Sequence, residues 1–367
     1  MLIQEWKKLF EKKRIFMLAV LGVFFYFLFF QTNVGIPSYS SESINLQISK
    51  ELKEKYGVNM DAVEYEEFVS SIEPAKENPV DIWIKENESF SDAGIQSYGE
   101  LLQKQDQLSR ETAMSLTSQV LNHFTENQLR DAFQDNWEQE YKKTFIETYK
   151  IETKARKSEE VYSLMPEIVM KKYLTLLPDF TIFVILSGIL LVVPYAVKDK
   201  MEGVTVLQYS SRKGCKYYWK KLEAAFIGLV ALNLCEIGFL LGMVWKNGGF
   251  TFLDCYVSGF MTSFLASWKV TFGQYIAISI LFIMVCSILL SLLAYCLASL
   301  AGNYVSAIAF QMPLIIFGMI ISMGMMPHFL EITQKRLWLY FIPVICVVMS
   351  VTGNFIRFWT IRRYEKC

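Results

Sequence analysis

Residues 15–30 read IFMLAVLGVFFYFLFF, a run of apolar and aromatic side chains that carries no charge. With the four residues that follow, the stretch 15–34 reaches about twenty residues, the length that an α-helix needs to cross ~30 Å of hydrocarbon. A cleaved signal peptide is the alternative, but the run is long, rich in Phe and followed by no A-x-A-like cleavage site. The sequence therefore predicts a retained first transmembrane helix over 15–34, with the amino terminus on the cytoplasmic side.

The residues before this helix, MLIQEWKKLFEKKR, have the pattern of an amphipathic helix. Apolar side chains recur at helical spacing and lysines occupy other positions, as in helices that lie in the headgroup layer of a membrane. The apolar positions are Leu2, Ile3, Trp6, Leu9 and Phe10. Residues 1–14 are thus predicted to form a cytoplasmic interfacial helix, in which Trp6 and Phe10 are the candidate interfacial residues.

Five further apolar stretches lie within residues 173–367, and each is long enough to span the bilayer as a helix. They cover about 176–197, 222–245, 274–299, 305–325 and 337–356. Together with the first helix, they predict an all-α membrane protein with about six transmembrane helices. The weaker apolar segment 248–273 is interrupted by Asp254 and several small residues. It is expected to be an outer-leaflet or re-entrant segment, and a seventh span is the alternative.

Lys and Arg are concentrated on one side of these spans. Five lie at 7–14, seven at 198–221 and four at 357–366, whereas the short loops on the other side carry four in all. Because basic loops stay in the cytoplasm, both termini and the loop 198–221 are predicted to be cytoplasmic. The chain is then a multi-pass protein of the cell membrane, and residues 35–172 form an extracellular domain between the first two spans.

The segment 35–172 has the composition of a water-soluble domain. It contains 26 Asp and Glu against 16 Lys and Arg, and none of the seven cysteines of the chain, so packing rather than disulfides must hold it together. Over 43–56 apolar side chains recur every four residues, and Gly57 ends the predicted helix. Similar spacing over 98–124 predicts another helix. Aromatic residues at helical spacing over 129–149 are expected to form a packing face.

No motif for catalysis or nucleotide binding occurs in the sequence. It lacks a G-x-x-x-x-G-K-[ST] phosphate loop, an H-E-x-x-H pair and a G-x-S-x-G elbow. His123 and His328 have no Cys or carboxylate pattern at metal-ligand spacing. The zero net charge averages an acidic domain with a basic membrane portion and gives no support for nucleic-acid binding. Neither enzymatic activity nor a metal or cofactor is therefore expected on this chain.

The loop after the second span reads VKDKMEGVTVLQYSSRKGCKYYWKKL over 197–222. It resembles the inner loop of ABC transporter permeases of the type-two, exporter-like superfamily, in which an E-x-G-T-L-x-x-L-x-[ST]-x-x-R-like run forms the coupling helix that docks on the ATPase. The matching residues are Glu202, Gly203, Leu207, Ser210, Ser211 and Arg212. Val204-Thr205 stands where the family has Thr-Leu. The six spans, the inner termini and the amphipathic start also resemble this family, and the outer insertion is similar to that of many permeases from Gram-positive bacteria.

The resemblance implies the membrane subunit of an ATP-driven exporter. ATP and Mg would be bound by a separate ATPase subunit, and a second permease, identical or related, would complete the assembly. The alternative for the loop 198–221 is a basic anchor held by anionic membrane lipid. A basic loop does not require Glu202-Gly203 followed by an amphipathic turn, and this favours ATPase docking.

Glu236 lies near the middle of the predicted third span, with Asn233 three residues before it on the same helix face. A carboxylate is costly in lipid, so Glu236 is expected to face protein or a water-filled path, where Asn233 could share a hydrogen bond with it. The pair is either a polar clasp between helices or a substrate- or proton-sensing group.

A second functional hypothesis comes from a different class of protein. The chain could be a membrane-anchored sensor or antimicrobial-resistance protein that binds a ligand through its extracellular domain without transport. The cargo of an exporter is open between peptide, lipid, drug and ion, because permease pathways are built from helix faces that leave no short motif.

Overall fold

The computed structural model describes residues 2–36, 41–58, 63–64, 67, 70, 78–104, 107–133, 164–204, 214–257, 270–326 and 341–365. The chain forms two compact units. One unit contains Met1–Gly35 and Val169–Cys367, and the other contains Ile36–Ile168. The described residues are overwhelmingly helical and contain one isolated β-bridge but no strand, so the predicted all-α membrane fold is confirmed.

The main helices in the described parts of the chain are numbered here in order. They are α1 (Leu2–Leu9), α2 (Lys12–Phe25), α3 (Ser41–Tyr56), α4 (Pro79–Glu86), α5 (Glu88–Asp92), α6 (Tyr98–Lys104), α7 (Arg110–His123), α8 (Glu167–Met201), α9 (Gly214–Lys246), α10 (Phe272–Leu300), α11 (Tyr304–Met325) and α12 (Phe341–Glu365). Helix α2 continues through a π-helical turn at Tyr26–Phe30 and a 3-10 turn at Gln31–Asn33. Residues 126–133 are also helical.

Five helices in the described residues are long and apolar enough to cross a membrane. They are Lys12–Asn33, Glu167–Met201, Lys216–Lys246, Phe272–Leu300 and Tyr304–Met325. They coincide with the first five predicted spans. The sixth predicted span, 337–356, overlaps α12, whose description begins at Phe341.

Helix α8 is the most deeply buried of the five spans. Of the 18 consecutive residues that make up its apolar stretch, 72% are buried inside the protein. The corresponding share is 11% for the first span and 33% for α11. A helix that is apolar all round is suited to the interior of a bundle, because every side meets other helices. The second span is therefore the central helix of the membrane unit.

Small residues let neighbouring helices approach α8 closely. Gly188 of α8 faces Ser287 and Ser291 of α10, and a Cβ at position 188 would overlap the Ser291 hydroxyl. In the same way, Gly318 of α11 lies against Ile185. Close backbone approach at small residues is a common way to pack membrane helices, where burial of apolar surface between helices gives little driving force.

The first span is attached to its neighbours at the end that follows its π-helical turn. The Asn247 side chain, just after α9, donates to the Asn33 carbonyl at 3.0 Å and accepts from the Gly35 amide at 2.6 Å. Lys172 of α8 donates to the Gly35 carbonyl at 3.1 Å. These bonds satisfy backbone groups that the end of a helix leaves unpaired.

The two ends of the weak apolar segment 248–273 lie side by side. Tyr256 and Thr271 form an antiparallel bridge, and the Val257 amide donates to the Val270 carbonyl at 3.0 Å. A single crossing between these positions would separate them by about 30 Å. The adjacent ends therefore argue against a single crossing between Val257 and Val270, and residues 258–269 lie outside the described residues.

The second unit has its own apolar core. Its buried members are Val80, Ile84, Phe90, Ile95, Leu101, Leu116, Val120, Leu129 and Ala132. Helix α3 ends at Tyr56 as predicted, and Gly57 takes a positive φ of 86°. The prediction of one helix over 98–124 is wrong, because α6 ends at Lys104 and the Ser109 side chain caps a new helix by accepting from the Thr112 amide at 3.2 Å.

His123 has a packing role in this second unit. Its ring stacks on Trp83 with the centroids 4.7 Å apart, and it also contacts Phe124. The predicted aromatic stripe continues beyond residue 133, where its remaining members lie outside the described residues.

Candidate functional site

Helix α1 packs onto the membrane bundle through Leu9. This side chain is fully buried against α9, where a Cβ at Gly228 would overlap its methyl group. The rings of Trp6 and Phe10 contact each other edge to face at 5.4 Å, and Trp6 stays 37% exposed. Contact of these two rings with lipid remains a prediction, whereas Leu9, expected on the membrane-facing side, contacts protein.

Arg14 joins α1 to the first span. Its guanidinium, 5% exposed as a residue, donates to the carbonyls of Lys8 at 2.5 Å and Leu9 at 3.2 Å. These carbonyls belong to the last turn of α1, where the helix itself supplies no amide donors for them. The guanidinium also lies 3.5 Å from the Glu11 carboxylate. Arg14 therefore acts as a C-terminal cap for α1 and fixes the bend between the two helices.

A buried network of charges and tyrosines connects α1, α8 and α9. Glu5 of α1 accepts hydrogen bonds from the hydroxyls of Tyr195 at 2.8 Å and Tyr217 at 3.3 Å. The Tyr217 hydroxyl also lies 3.0 Å from the Asp199 carboxylate. Asp199 forms a salt bridge with Lys221, and both residues are almost fully buried.

Lys8 completes this network, which we call the buried ion cluster: Glu5, Lys8, Tyr195, Asp199, Tyr217 and Lys221. The Lys8 ammonium lies 3.3 Å from Glu5 and 3.5 Å from Asp199. Burial lowers the pKa of Lys8, but the two carboxylates outweigh burial and the pKa lies above its ordinary value. Two ammonium groups thus balance two carboxylates, and Lys8 reaches the surface with 38% of its side chain exposed. Removal of Asp199 or Lys221, which are both almost fully buried, would leave the other charge buried without compensation.

The exposed turn that follows α8 contains Glu202 and Gly203. The Glu202 amide donates to the Lys198 carbonyl at 3.0 Å, and the Gly203 amide donates to the Lys200 carbonyl at 3.2 Å. Gly203 has a φ of 70°, a conformation that favours glycine at the end of a helix. The structure thus gives Gly203 a local role as the helix terminator. The other predicted coupling residues, Leu207, Ser210, Ser211 and Arg212, lie outside the described residues.

The turn and the buried ion cluster are joined by the last residues of α8. Asp199 precedes Glu202 by less than one helical turn. Lys198 forms a 2.8 Å ion pair with Glu11, and this pair lowers the pKa of the Glu11 carboxyl. A displacement of the Glu202 turn would therefore act directly on groups that hold α1, α2 and α9.

Further basic side chains gather at this end of the bundle. Lys200 donates to the Leu300 carbonyl at 3.1 Å, and Arg357 of α12 donates to the Ser299 carbonyl at 3.2 Å. Both groups cap the last turn of α10, where cations are favoured by the helix dipole. We call this the basic end of the membrane unit, defined by Lys8, Lys198, Lys200, Lys221 and Arg357.

Asn233 and Glu236 are both buried within the bundle, where α9 meets α8 and α10. The Ser287 hydroxyl lies 3.5 Å from the Asn233 amide oxygen, and Ser187 of α8 is within hydrogen-bonding reach of the Glu236 carboxyl. Asn233 and Glu236 thus face protein, but each has a serine partner from another helix and no hydrogen bond joins them among the described contacts. One oxygen of Glu236 and the amide nitrogen of Asn233 have no partner in the described residues.

Replacement of Glu236 by Gln is expected to leave the thermal stability of the purified protein nearly unchanged, because the amide reproduces the size and the hydrogen-bonding capacity of the carboxyl. Replacement by Ala should destabilise the protein by about 1–3 kcal/mol, since polar partners then face a void. Thermal unfolding in detergent compares the two variants. Equal destabilisation of both would show that the ionisable group itself holds the helices together.

The buried ion cluster could not be found from the sequence. Its six members come from three segments, and Glu5 is separated from Tyr195 by 190 positions along the chain. Asp199 and Lys221 appear in the sequence as ordinary charges that flank a basic loop. A single weak signal is Glu5 itself, a carboxylate between the apolar positions Ile3 and Trp6.

A comparison with protein families gives one match. A family model described as "ABC-2 family transporter protein" matches residues 15–356, which is most of the chain. No curated protein and no solved structure matches the chain.

Proposed function

The chain belongs to the ABC-2 family of transporter proteins, and from this premise we propose that it is the permease subunit of an ATP-driven exporter. Family membership implies an ATPase partner. In this proposal, that separate subunit binds ATP and Mg and transmits force to the permease at its basic end. A second permease, identical or related, packs beside this chain, and the unit Ile36–Ile168 lies outside the cell.

The observation that carries this proposal is the position of the exposed Glu202–Gly203 turn. It follows directly the helix that is most buried in the bundle, and Asp199 ties the end of that helix to α1 and α9 through the buried ion cluster. An ATPase that displaces this turn would move α8 without needing to enter the membrane. Tilting of α8 against α10 and α11 could then open or close a path between two permeases.

The basic end supports the same orientation. Its side chains are held by helix carbonyls and carboxylates from several spans, and the predicted cytoplasmic loop connects two of these spans. An accumulation of Lys and Arg is typical of the cytoplasmic side. The two termini and the ATPase-docking surface are therefore all proposed to lie in the cytoplasm.

The apolar surface of α11 and α12 is available for lipid or for the second permease. Val305, Met323 and Ile356 are among its most exposed members, each with more than 60% of its surface accessible. Exposed apolar side chains of this kind are expected at lipid-facing and subunit-facing positions of a membrane helix. The dimer interface is proposed to use part of this surface.

Replacement of Glu202 by Lys is expected to reduce co-purification of the ATPase at least about tenfold, because charge reversal at a docked contact costs more than 1.4 kcal/mol. Tagged protein is purified from native membranes, and the associated ATPase is quantified by mass spectrometry. Glu223→Lys is the matched control, since Glu223 is also an exposed carboxylate near the basic end, paired with Lys220 at 2.6 Å.

Equal recovery of the ATPase with Glu202→Lys and with Glu223→Lys would contradict docking at the turn. Absence of any ATPase from the purified wild-type protein, combined with tight binding of an extracellular ligand, would favour a membrane-anchored sensor or resistance protein. A topology assay that places Glu202 outside the cell would overturn the orientation of the whole proposal.

A further inference from the structure

A cleft of about 730 Å³ opens at the start of the first span. The ends of three spans surround it, because α2 begins there, α8 ends there and α11 begins there. Its basic lining consists of Lys12, Lys13, Arg14 and Lys198, and its apolar lining includes Met17 and Met201. The carboxylates of Glu11 and Glu202 also line it, so the cleft combines an excess of cations with apolar walls at one end of the membrane unit.

The cations of the cleft differ in whether they already have partners. Arg14 caps α1, and Lys198 forms an ion pair with Glu11, so these two are engaged within the protein. Lys12 and Lys13 are exposed and form no ion pair or side-chain hydrogen bond with any described residue. Lys13 attracts the Glu11 carboxylate from beyond ion-pair distance, but neither ammonium group is held by a direct contact, so both can contact an anion at the mouth of the cleft.

The surroundings of the two lysines favour an anion with an apolar tail. They lie in the first turn of α2, where the unpaired amides and the helix dipole add to the positive potential. Immediately after them, Ile15 and Phe16 are 49% and 71% exposed on the first span. An acyl chain could lie along these residues while its phosphate meets Lys12 and Lys13.

We propose that this cleft binds an anionic phospholipid by its phosphate headgroup. Lys12 and Lys13 contact the phosphate, and Met17 and Met201 contact the upper part of the lipid. The site is distinct from diffuse attraction of lipid to the loop 198–221, because it is a concave pocket between spans. Glu202 also lines the cleft, so the bound headgroup lies beside the turn that is proposed to contact the ATPase.

Lipid binding does not depend on the proposed transport function, and it can be measured on the purified chain alone. The full-length protein in detergent is titrated with phosphatidylglycerol and, separately, with phosphatidylcholine of the same acyl chains, and bound lipid is counted by native mass spectrometry. We expect the wild-type protein to retain phosphatidylglycerol preferentially. The variant Lys12→Gln/Lys13→Gln should bind it about tenfold to thirtyfold more weakly.

The control variant is Lys216→Gln/Lys220→Gln, which removes two exposed lysines at the start of α9 that do not line the cleft. Because all four positions are exposed, both variants are expected to fold, and their monodispersity and thermal midpoints check this. Unchanged lipid binding in the control supports the cleft. Equal loss of lipid in both variants would show diffuse attraction to a basic surface and overturn the proposal.

A soluble phosphate compound carries the same phosphate group as the lipid. A competition experiment therefore distinguishes a lipid site from a site for free phosphate compounds. Glycerol phosphate is added in increasing concentration to the complex with phosphatidylglycerol. Retention of the lipid supports a site that requires the acyl chain as well as the phosphate. Displacement of the lipid at equal concentration would show a site for free phosphate compounds, and equal retention of phosphatidylcholine would show that the anionic headgroup is not recognised.

Discussion

Replacement of Asp199 by Leu is expected to destabilise the membrane unit by about 3–5 kcal/mol, because Lys221 would stay buried without its carboxylate. The thermal midpoint of the purified protein should fall on the order of 10 °C. The loss is measured by heating the protein in detergent and recording the fraction that remains monodisperse. If the chain works as the proposed ABC permease, the same variant should also lose ATP-driven transport, since the end of α8 is no longer held to α9.

Two comparisons test this explanation. The double variant Asp199→Leu/Lys221→Met removes both charges and should recover most of the stability, because no buried ion is left without a partner. Glu223→Leu breaks the exposed pair with Lys220 and should change the stability by less than about 1 kcal/mol. If Asp199→Leu were as mild as Glu223→Leu, the cluster would contribute nothing beyond a surface ion pair.

Replacement of Gly228 by Val is expected to displace α1 from the bundle. The first atom of any side chain at this position would overlap the buried Leu9, and overpacking of this kind costs about 1–3 kcal/mol. With α1 displaced, Glu5 can no longer accept from Tyr195. The backbone at the exposed residues Lys12 and Lys13 should then lose its local restraint, and trypsin should cleave it faster. The rate of tryptic cleavage in this segment measures the displacement.

Gly242→Val provides the matched control for this variant. Gly242 lies on the same helix, but nothing is within 4 Å of a Cβ placed there, so the valine is expected to be tolerated. The double variant Gly228→Val/Leu9→Ala frees the overlapping volume and should slow cleavage again. Unchanged cleavage in Gly228→Val would mean that α1 does not depend on this contact.

Hydropathy predicted five helices that are long and apolar enough to cross a membrane, but it did not predict where they end. The second span was predicted over about 176–197, whereas α8 runs from Glu167 to Met201. The third was predicted from about 222, whereas α9 begins at Gly214. Lipid requires only that the apolar centre be helical. The helix continues until a terminator such as Gly203 or another local signal stops it.

The amphipathic pattern of residues 1–14 predicted a helix but left its partner undetermined. Apolar spacing is the same whether a helix faces lipid or protein, so Leu9 could not be assigned to a groove that Gly228 opens 219 positions later. The pair Asn233 and Glu236 shows a related limit. Their spacing predicted correctly that both side chains lie on one face of the helix. Their hydrogen-bonding partners, however, are serines of α8 and α10. Partners of this kind are set by tertiary packing.

The hydrogen bonds of Asn247 have a mechanical consequence for the first span. This helix is restrained at one end by Asn247 and at the other by the Glu11–Lys198 pair, although little of its length is enclosed by other helices. A helix that is held at both ends can slide along its neighbours by one turn only if both attachments break. We therefore expect the first three spans to move together when the end of α8 is displaced.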